Sequence, residues 1–532
     1  MKKLLLLATT VATMCLATMH GQAPVLGTAA NFALFSSNGA VTNTGMSIIT
    51  GDVGTNNGAA TNFGNVNGVM HDADGTTAIA AADLTIAYNQ LNAATPNFFP
   101  AALLGNGQTL TAGTYSIGQT ASLNGTLTLD GGGNANSVFI FQIGGAFSSG
   151  ANAQVLLTNG ATACNVFWKI EGLVDLATNT AMKGTIVANN AAIILNTGVS
   201  LEGRALSTTG AVSVASVTIA KPLGCGTPVL TGPAAPVLNS VACYTVFSGN
   251  GAVTNTGITF ITGDVGTNVG LTTGFQAENV TGTIHTNPDV STAICAADLN
   301  NVYTYLNTLQ TDIELLYPAA FGNDLVLTPH TYLMNAATVL NGTVYLNAQG
   351  NADAVFVIKI NGALSTTTYA KVILQNGAQA KNVFWKVDGA ISLNDYADFK
   401  GTVIGNNGAV IINTGVNIEG RVLSTSGGIS TFGIKAVMTP GCNPLSTNNV
   451  NFGKQGAKFY PNPFSSVLNV AMDDVNGGSN LMIFNAAGSK VAEATLSNKT
   501  TAIPMKLPAG VYFYQLKGKN GAKQSGKLIS KP

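Results

Sequence analysis

Residues able to do chemistry are sparse and scattered in this chain of 532 residues. Past the N-terminal leader there are three histidines, His71, His285 and His330. The first two stand just ahead of a helical segment in each of two internal repeats, a place for a cap rather than a catalytic base. Asp52 and Asp264 recur in the sequence TGDVGTN. A single carboxylate in a glycine-rich turn is expected to accept backbone N–H groups, whereas calcium asks for more oxygen ligands. Asp395 and Asp398 are the nearest approach to the clustered carboxylates that a polysaccharide-cleaving β-helix would need. The cysteines Cys164, Cys225, Cys243, Cys295 and Cys442 show no C-x-x-C spacing, so zinc is unsupported and their connectivity stays open. The sequence predicts no enzyme, no catalytic residue, no metal and no cofactor.

What does recur is a set of small hydroxyl and amide side chains. A 19-residue register aligns Asn159/Thr162 with Thr178/Ala181 and Thr197/Ser200, and Thr44/Ser47 have the same local context. A second set reads Thr256/Thr259, Asn376/Gln379, Asp395/Asp398 and Thr414/Asn417. Threonine and asparagine suit strands and turns in their own right. A column of them on a stiff, uncharged face has a further use. Methyl groups exclude liquid water while hydroxyls hold ordered water at a regular spacing, which suits the neutral, repetitive surface of ice. Charged side chains would keep their own hydration. If the column serves that use rather than the strands and turns alone, its contact residues are Thr44, Ser47, Asn159, Thr162, Thr178, Thr197, Ser200, Thr256, Thr259, Thr414 and Asn417. Asp395 and Asp398 would interrupt the second set, so the first set is expected to be the more active.

These residues need a repetitive scaffold, and the chain repeats itself. GAVTNTGMSIITGDVGTN at 39–56 returns as GAVTNTGITFITGDVGTN at 251–268, and NVFWKIEG at 165–172 returns as NVFWKVDG at 382–389. Two copies of one domain are expected, over residues 23–225 and 237–443, joined by a proline-containing linker at 226–236. Within each copy a shift of 19 residues aligns LATNTAMKGTIV at 176–187 with LNTGVSLEGRAL at 195–206. That is one rung of a β-helix, with a perimeter of about 60 Å at ~3.3 Å per residue. The register sets Lys183 beside Glu202 and Lys400 beside Glu419, so opposite charges stack. Each copy also carries one helix, predicted over about 76–92 and 291–309. Leu84, Tyr88 and Leu91 in the first, and Leu299, Tyr303 and Leu306 in the second, form its apolar stripe.

Composition agrees. Only 9% of residues are charged, glycine accounts for 62 positions, and aromatics are 7%. Residues 24–444 carry 11 Lys/Arg against 20 Asp/Glu, while residues 445–532 carry 10 Lys against 3 acids. The change of sign marks a module boundary, with a linker expected at 444–457 and a separate domain at 458–532. No basic patch in the bulk of the chain suits nucleic acid. Lys2, Lys3 and the apolar run from Leu4 read as a cleaved export signal over residues 1–22, and no spanning segment is expected in the mature chain.

The segments AANFALFSSNGAVTNTG, ITGDVGTN, AADLTIAY, NVFWKIEG and LNTGVSLEGRALS together resemble the bacterial, algal and fungal ice-binding protein family. The resemblance implies a mainly β chain of two right-handed, discontinuous β-helix domains, each with one long helix alongside. It also implies ice as the ligand, bound through T-G/A-x-T/N segments such as Thr256-Gly257-Ile258-Thr259. FYPNPFSSVLNV, IFNAAGSKV and LPAGVYFYQLKG resemble the C-terminal sorting domain of the type IX secretion system. That implies a small β-sandwich, the secretion machinery as a partner, and a secreted or outer-surface location on a Gram-negative bacterium. The competing reading is a structural adhesin that binds polysaccharide or neighbouring cells.

Overall fold

The structure, a computed structural model, describes residues 22–225, 229–442, 457–472, 479–518 and 523–532. Most of the expected leader and of the linker at 444–457 lies outside these residues. The two repeats fall in one unit, residues 1–442, and the tail in a second, residues 443–532.

Each repeat is a solenoid of parallel strands with a three-sided cross-section. In copy 1 one side is an 8-stranded sheet that starts at Leu103–Gly105 and climbs through Ala121–Asn124, Phe147–Ser149, Val174–Leu176, Ile193–Leu195 and Val212–Ala215. The next strand is Val41–Thr44, from the start of the chain, followed by Ala60–Thr61. The solenoid is thus discontinuous: the N-terminal residues build the upper rungs, a helix carries the chain down, and the later residues climb back to meet them. The other two sides share a 13-stranded sheet, because strands Ala181–Ala188 and Ser200–Ser207 each run around a corner. Gly184 makes that corner at φ +100°, where a Cβ would stand 2.4 Å from the Val166 carbonyl oxygen. The expected 19-residue register is present, with Lys183 opposite Glu202 at 2.8 Å and Lys400 opposite Glu419 at 3.5 Å.

Side chains alternate in and out along every strand, so one aliphatic set fills the interior. Parallel stacking also brings like onto like: Tyr115, Phe141 and Trp168 occupy equivalent places on successive rungs, and their rings stack at 5.1 and 4.0 Å.

Helix α1 (Gly75–Ala93) and helix α2 (Val290–Thr308) each lie along one side of their solenoid. Ala80, Leu84 and Leu91 of α1 pack on Phe32, Phe35, Ile140 and Val187. Asp74 and Asp289 are the N-caps, each in a reciprocal pair with the threonine three residues on. The two helix-start histidines bond these caps, His71 Nδ1 to Asp74 at 2.6 Å and His285 Nδ1 to Asp289 at 2.7 Å. Ser291, His285 and the Thr292 backbone together hold the Asp289 carboxyl below the ordinary range. On the helix flank the Tyr88 hydroxyl donates to Glu171, which also pairs with Lys169. Burial, reinforced by Glu171, pushes the Tyr88 phenol up to about 12, so it stays a donor. Tyr303, Asp388 and Lys386 repeat the arrangement in copy 2.

Cys164 pairs with Cys225 and Cys243 with Cys442, each within its own copy, and Cys295 is a buried thiol on α2. The linker is not a free spacer where described. Thr231 O accepts from Val355 N and Ala234 O from the Tyr305 hydroxyl, so it lies along copy 2. The tail unit is a sandwich of a 3-stranded and a 4-stranded antiparallel sheet around Leu468, Val470, Ile483, Tyr514 and Leu528.

Candidate functional site

The 8-stranded side of each solenoid is the surface with the most regular chemistry. Val41, Val174, Ile193 and Val212 point inward and are fully buried. Their neighbours point outward in columns. In copy 1 the central column reads Thr61, Thr42, Ser213, Ile194, Asp175, Ser148, Ser122 and Leu103, each aligned with the next. One flanking column is Ala59, Ala40, Ala211, Ala192, Leu173 and Ala146. In copy 2 the central column is Thr273, Thr254, Ser430, Ile411, Ser392, Ser365 and Val339. Its flanking column is Leu271, Ala252, Gly428, Ala409, Ala390 and Ala363.

Rungs repeat at ~4.8 Å and outward residues along a strand at about 6.6 Å, so each copy presents a rectangular grid of hydroxyls, methyls and backbone. The outward positions of copy 2 carry no charge at all. Copy 1 carries one, Asp175, whose carboxylate accepts from Asn196 Nδ2 at 2.8 Å. The same rung also holds Leu173, 41% exposed, where the rest of its column is alanine.

The expected contact residues separate into three groups. Thr178, Thr197 and Thr414 are exposed in the turn that leaves this side for the next, and Thr44 and Thr256 are exposed at the ends of their strands beside that turn. They border the flat side rather than fill it. Their partners lie beyond the corner. Ser47 donates to Asn43 Oδ1 at 2.6 Å, and Thr259 donates to Asn255 Oδ1 at 2.6 Å and is 3% exposed, so these two brace the turn from within. Asn417 bonds Asp398 at 3.1 Å, and Ser200 begins a strand of the next side. Asn159 and Thr162 are on a different corner altogether. They follow Gln154–Thr158, a strand of the 13-stranded sheet, so the alignment of LTNGATAC with the later rungs crosses from one corner to another.

Asp395 and Asp398 correct a second expectation. Asp395 sits on the corner and accepts the Thr414 N–H, while Asp398 starts the next side and pairs with Lys400 at 2.9 Å. Neither stands on the flat side. Thr42, Ser213, Ser392, Ser430 and the alanines stand outside the expected contact set, though the sequence carries a signal for them: Asp175, Ile194 and Ser213 recur at the rung spacing between inward aliphatics.

The two solenoids meet end to end. Asn65 exchanges two hydrogen bonds with the Tyr317 backbone, and Asn67 accepts from the Tyr332 hydroxyl at 2.7 Å. The corner at Gly45–Ile48 of copy 1 faces the equivalent corner at Gly322–Leu325 of copy 2 across a cleft of about 310 Å³. The next corner of copy 1, at Asn67, meets its counterpart at Thr328–Tyr332. With two corners matched the cross-sections share one rotational phase, and both flat sides look the same way.

A tandem β-solenoid with a flat, nearly charge-free side is thus the class that the fold and the site define. The chain matches the Ice-binding-like family over residues 35–220 and 247–437, and it belongs to that family. Residues 458–531 match the secretion system C-terminal sorting domain. The chain is 42% identical over 194 residues to an ice-binding protein of Nostoc sp. (strain HG1), covering 36% of this chain and 71% of the relative. It is 32% identical over 215 residues to an ice-binding protein of Colwellia sp, covering 37% of this chain and 82% of the relative. Among solved structures it is similar to an ice binding protein from an Antarctic bacterium, Flavobacteriaceae, with 77% identity and a TM-score of 0.79, covering 80% of this chain and 100% of that one.

Proposed function

We propose that this protein adsorbs to ice through the two 8-stranded sides, which look the same way, with Thr44, Thr178, Thr197, Thr256 and Thr414 at their border. The observation that carries the reading is the uninterrupted, charge-free register of copy 2 from Thr273 to Val339. Small outward groups let ordered water sit in the grooves between rungs, and no carboxylate or ammonium competes for it. Bound molecules pin the crystal surface, growth between them must curve, and a curved front melts more readily. Copy 2 is the stronger of the two on this reading, because Asp175 breaks the charge-free run of copy 1, whereas each copy has one exposed leucine in its flanking column, Leu173 and Leu271. Nanolitre osmometry and recrystallisation assays on the secreted chain test it. Faceted, arrested crystals are expected; round, freely growing discs at every concentration reject it.

The sorting domain and the leader support export by the type IX system to the outer surface of a Gram-negative bacterium, where the ligand is. No step of bond chemistry is needed, so the protein acts as a binder and not an enzyme.

A further inference from the structure

The two copies share a backbone but differ sharply at one corner. Along the turn bordering the flat side, copy 1 places Asn152 and Asn179 at φ +59°. The equivalent residues of copy 2 are Tyr369 at φ +61° and Tyr396 at φ +59°. Asparagine tolerates this left-handed conformation, and a bulky ring is a genuine outlier there. Tyr369 and Tyr396 are 63% and 51% exposed, and their rings stack at 5.1 Å with 11° between planes. Tyr396 rests in turn on Gly415, where a Cβ would stand 2.4 Å from its ring. Under Tyr369 the corner shrinks to Gly342, whose Cβ position meets nothing within 4 Å, so the outer face of that ring is open. The changes around the rings are concerted: Thr178, Ala181 and Gln154 of copy 1 become Asp395, Asp398 and Lys371.

We propose that this corner is a second binding site, for a neutral hexopyranose glycan. The open face of Tyr369 offers an aromatic platform for the C–H face of a sugar ring. Asp395 uses Oδ1 on the Thr414 N–H, and its other oxygen has no partner among the described residues. The Thr368 hydroxyl and the exposed Lys371 ammonium also have none there, so sugar hydroxyls find both acceptors and donors. A charged glycan is disfavoured. Lys400 is already shared between Asp398 at 2.9 Å and Glu419 at 3.5 Å, and Asp395 stands one rung from Tyr369 with a carboxylate oxygen to spare, which an acidic sugar would meet. Ice does not fit either, because stacked rings and carboxylates stand on the corner and not on the grid. The site would let one molecule hold ice with its flat side and a matrix or cell-surface glycan with its border.

The test is a glycan array carrying neutral hexopyranose and acidic oligosaccharides, probed with the full chain and with the Tyr369→Asn/Tyr396→Asn double variant. Asparagine is what copy 1 carries at the same backbone angles, so the variant keeps the fold. Thermal hysteresis, read in parallel, reports whether the ice face is intact. Neutral glycans retained by the parent and bound at least tenfold more weakly by the variant, at unchanged hysteresis, are expected. No retention, retention confined to acidic glycans, or equal retention by both proteins overturns the proposal. Failure of the ice reading would show separately, as absent hysteresis in the parent.

Discussion

Exchanging the one rung at which a charge distinguishes the flat sides should exchange their activities. The perturbation is Leu173→Ala/Asp175→Ser in copy 1 and, reciprocally, Ala390→Leu/Ser392→Asp in copy 2, each in the full chain. In copy 1 the longest run without a charge is Thr61, Thr42, Ser213 and Ile194. At ~4.8 Å per rung that is about 14 Å. The copy 2 column from Thr273 to Val339 spans about 29 Å by the same spacing. Repair lengthens the copy 1 run to about 34 Å, and the reciprocal change cuts copy 2 to about 14 Å. Removing a carboxylate from water costs several kcal/mol even after relaxation, so ice is expected to avoid the charged rung rather than dehydrate it. Asp175 makes one bond, to Asn196 Nδ2 at 2.8 Å, which a serine hydroxyl can accept, so the fold should not suffer. The assay is thermal hysteresis at equal molarity, with circular dichroism to confirm folding. The copy 1 repair should raise hysteresis, and the copy 2 change should lower it about twofold, in line with the halved run. A copy 2 variant as active as the parent, or a repair that lowers activity, would refute the reasoning.

Other expectations follow from the same geometry. Thr197→Tyr on the corner should reduce hysteresis less than Ser213→Tyr in the middle of the side, at equal thermal stability. Asp289→Ala removes the α2 cap and should lose about 1 kcal/mol of stability, seen in thermal melts. Because the Asp289 carboxyl titrates below its ordinary value of 3.8, its stabilisation is complete above that pH and lost as pH falls through the folded value, so the variant should show a shallower acid limb. Cys243→Ser/Cys442→Ser opens a loop of 199 residues and should destabilise the protein by about 2–5 kcal/mol. Deleting residues 458–532 should leave the protein in the periplasm of its host, as fractionation would show.

Much of the solenoid was legible because its period is written in the residues. The fixed glycine and the Lys183–Glu202 pairing set both rung length and register, and the stripe of Leu84 and Leu91 placed the helix. What a period cannot say is which corner a turn occupies. LTNGATAC and LATNTAMK both leave a leucine strand through a polar turn, and only sheet pairing separates them. Ser47 and Thr259 misled for a related reason: a hydroxyl beside a turn serves the backbone as readily as it serves a ligand. The alanine columns are silent in the sequence because alanine offers no chemistry of its own, although here its smallness is the property that matters. The link between copies was hidden as well, since Asn67 and Tyr332 are 265 residues apart and nothing local joins them.

The most direct test of the central claim compares one substitution on the flat side with one on another side. Ser430→Tyr places a ring in the middle of the copy 2 grid, between Thr254 and Ile411. Lys435→Tyr places the same ring on an exposed position of the 14-stranded sheet. With both variants folded, thermal hysteresis should fall sharply for Ser430→Tyr and match the parent for Lys435→Tyr. Parental activity in Ser430→Tyr together with loss in Lys435→Tyr would place the ice contact on the wrong side of the solenoid.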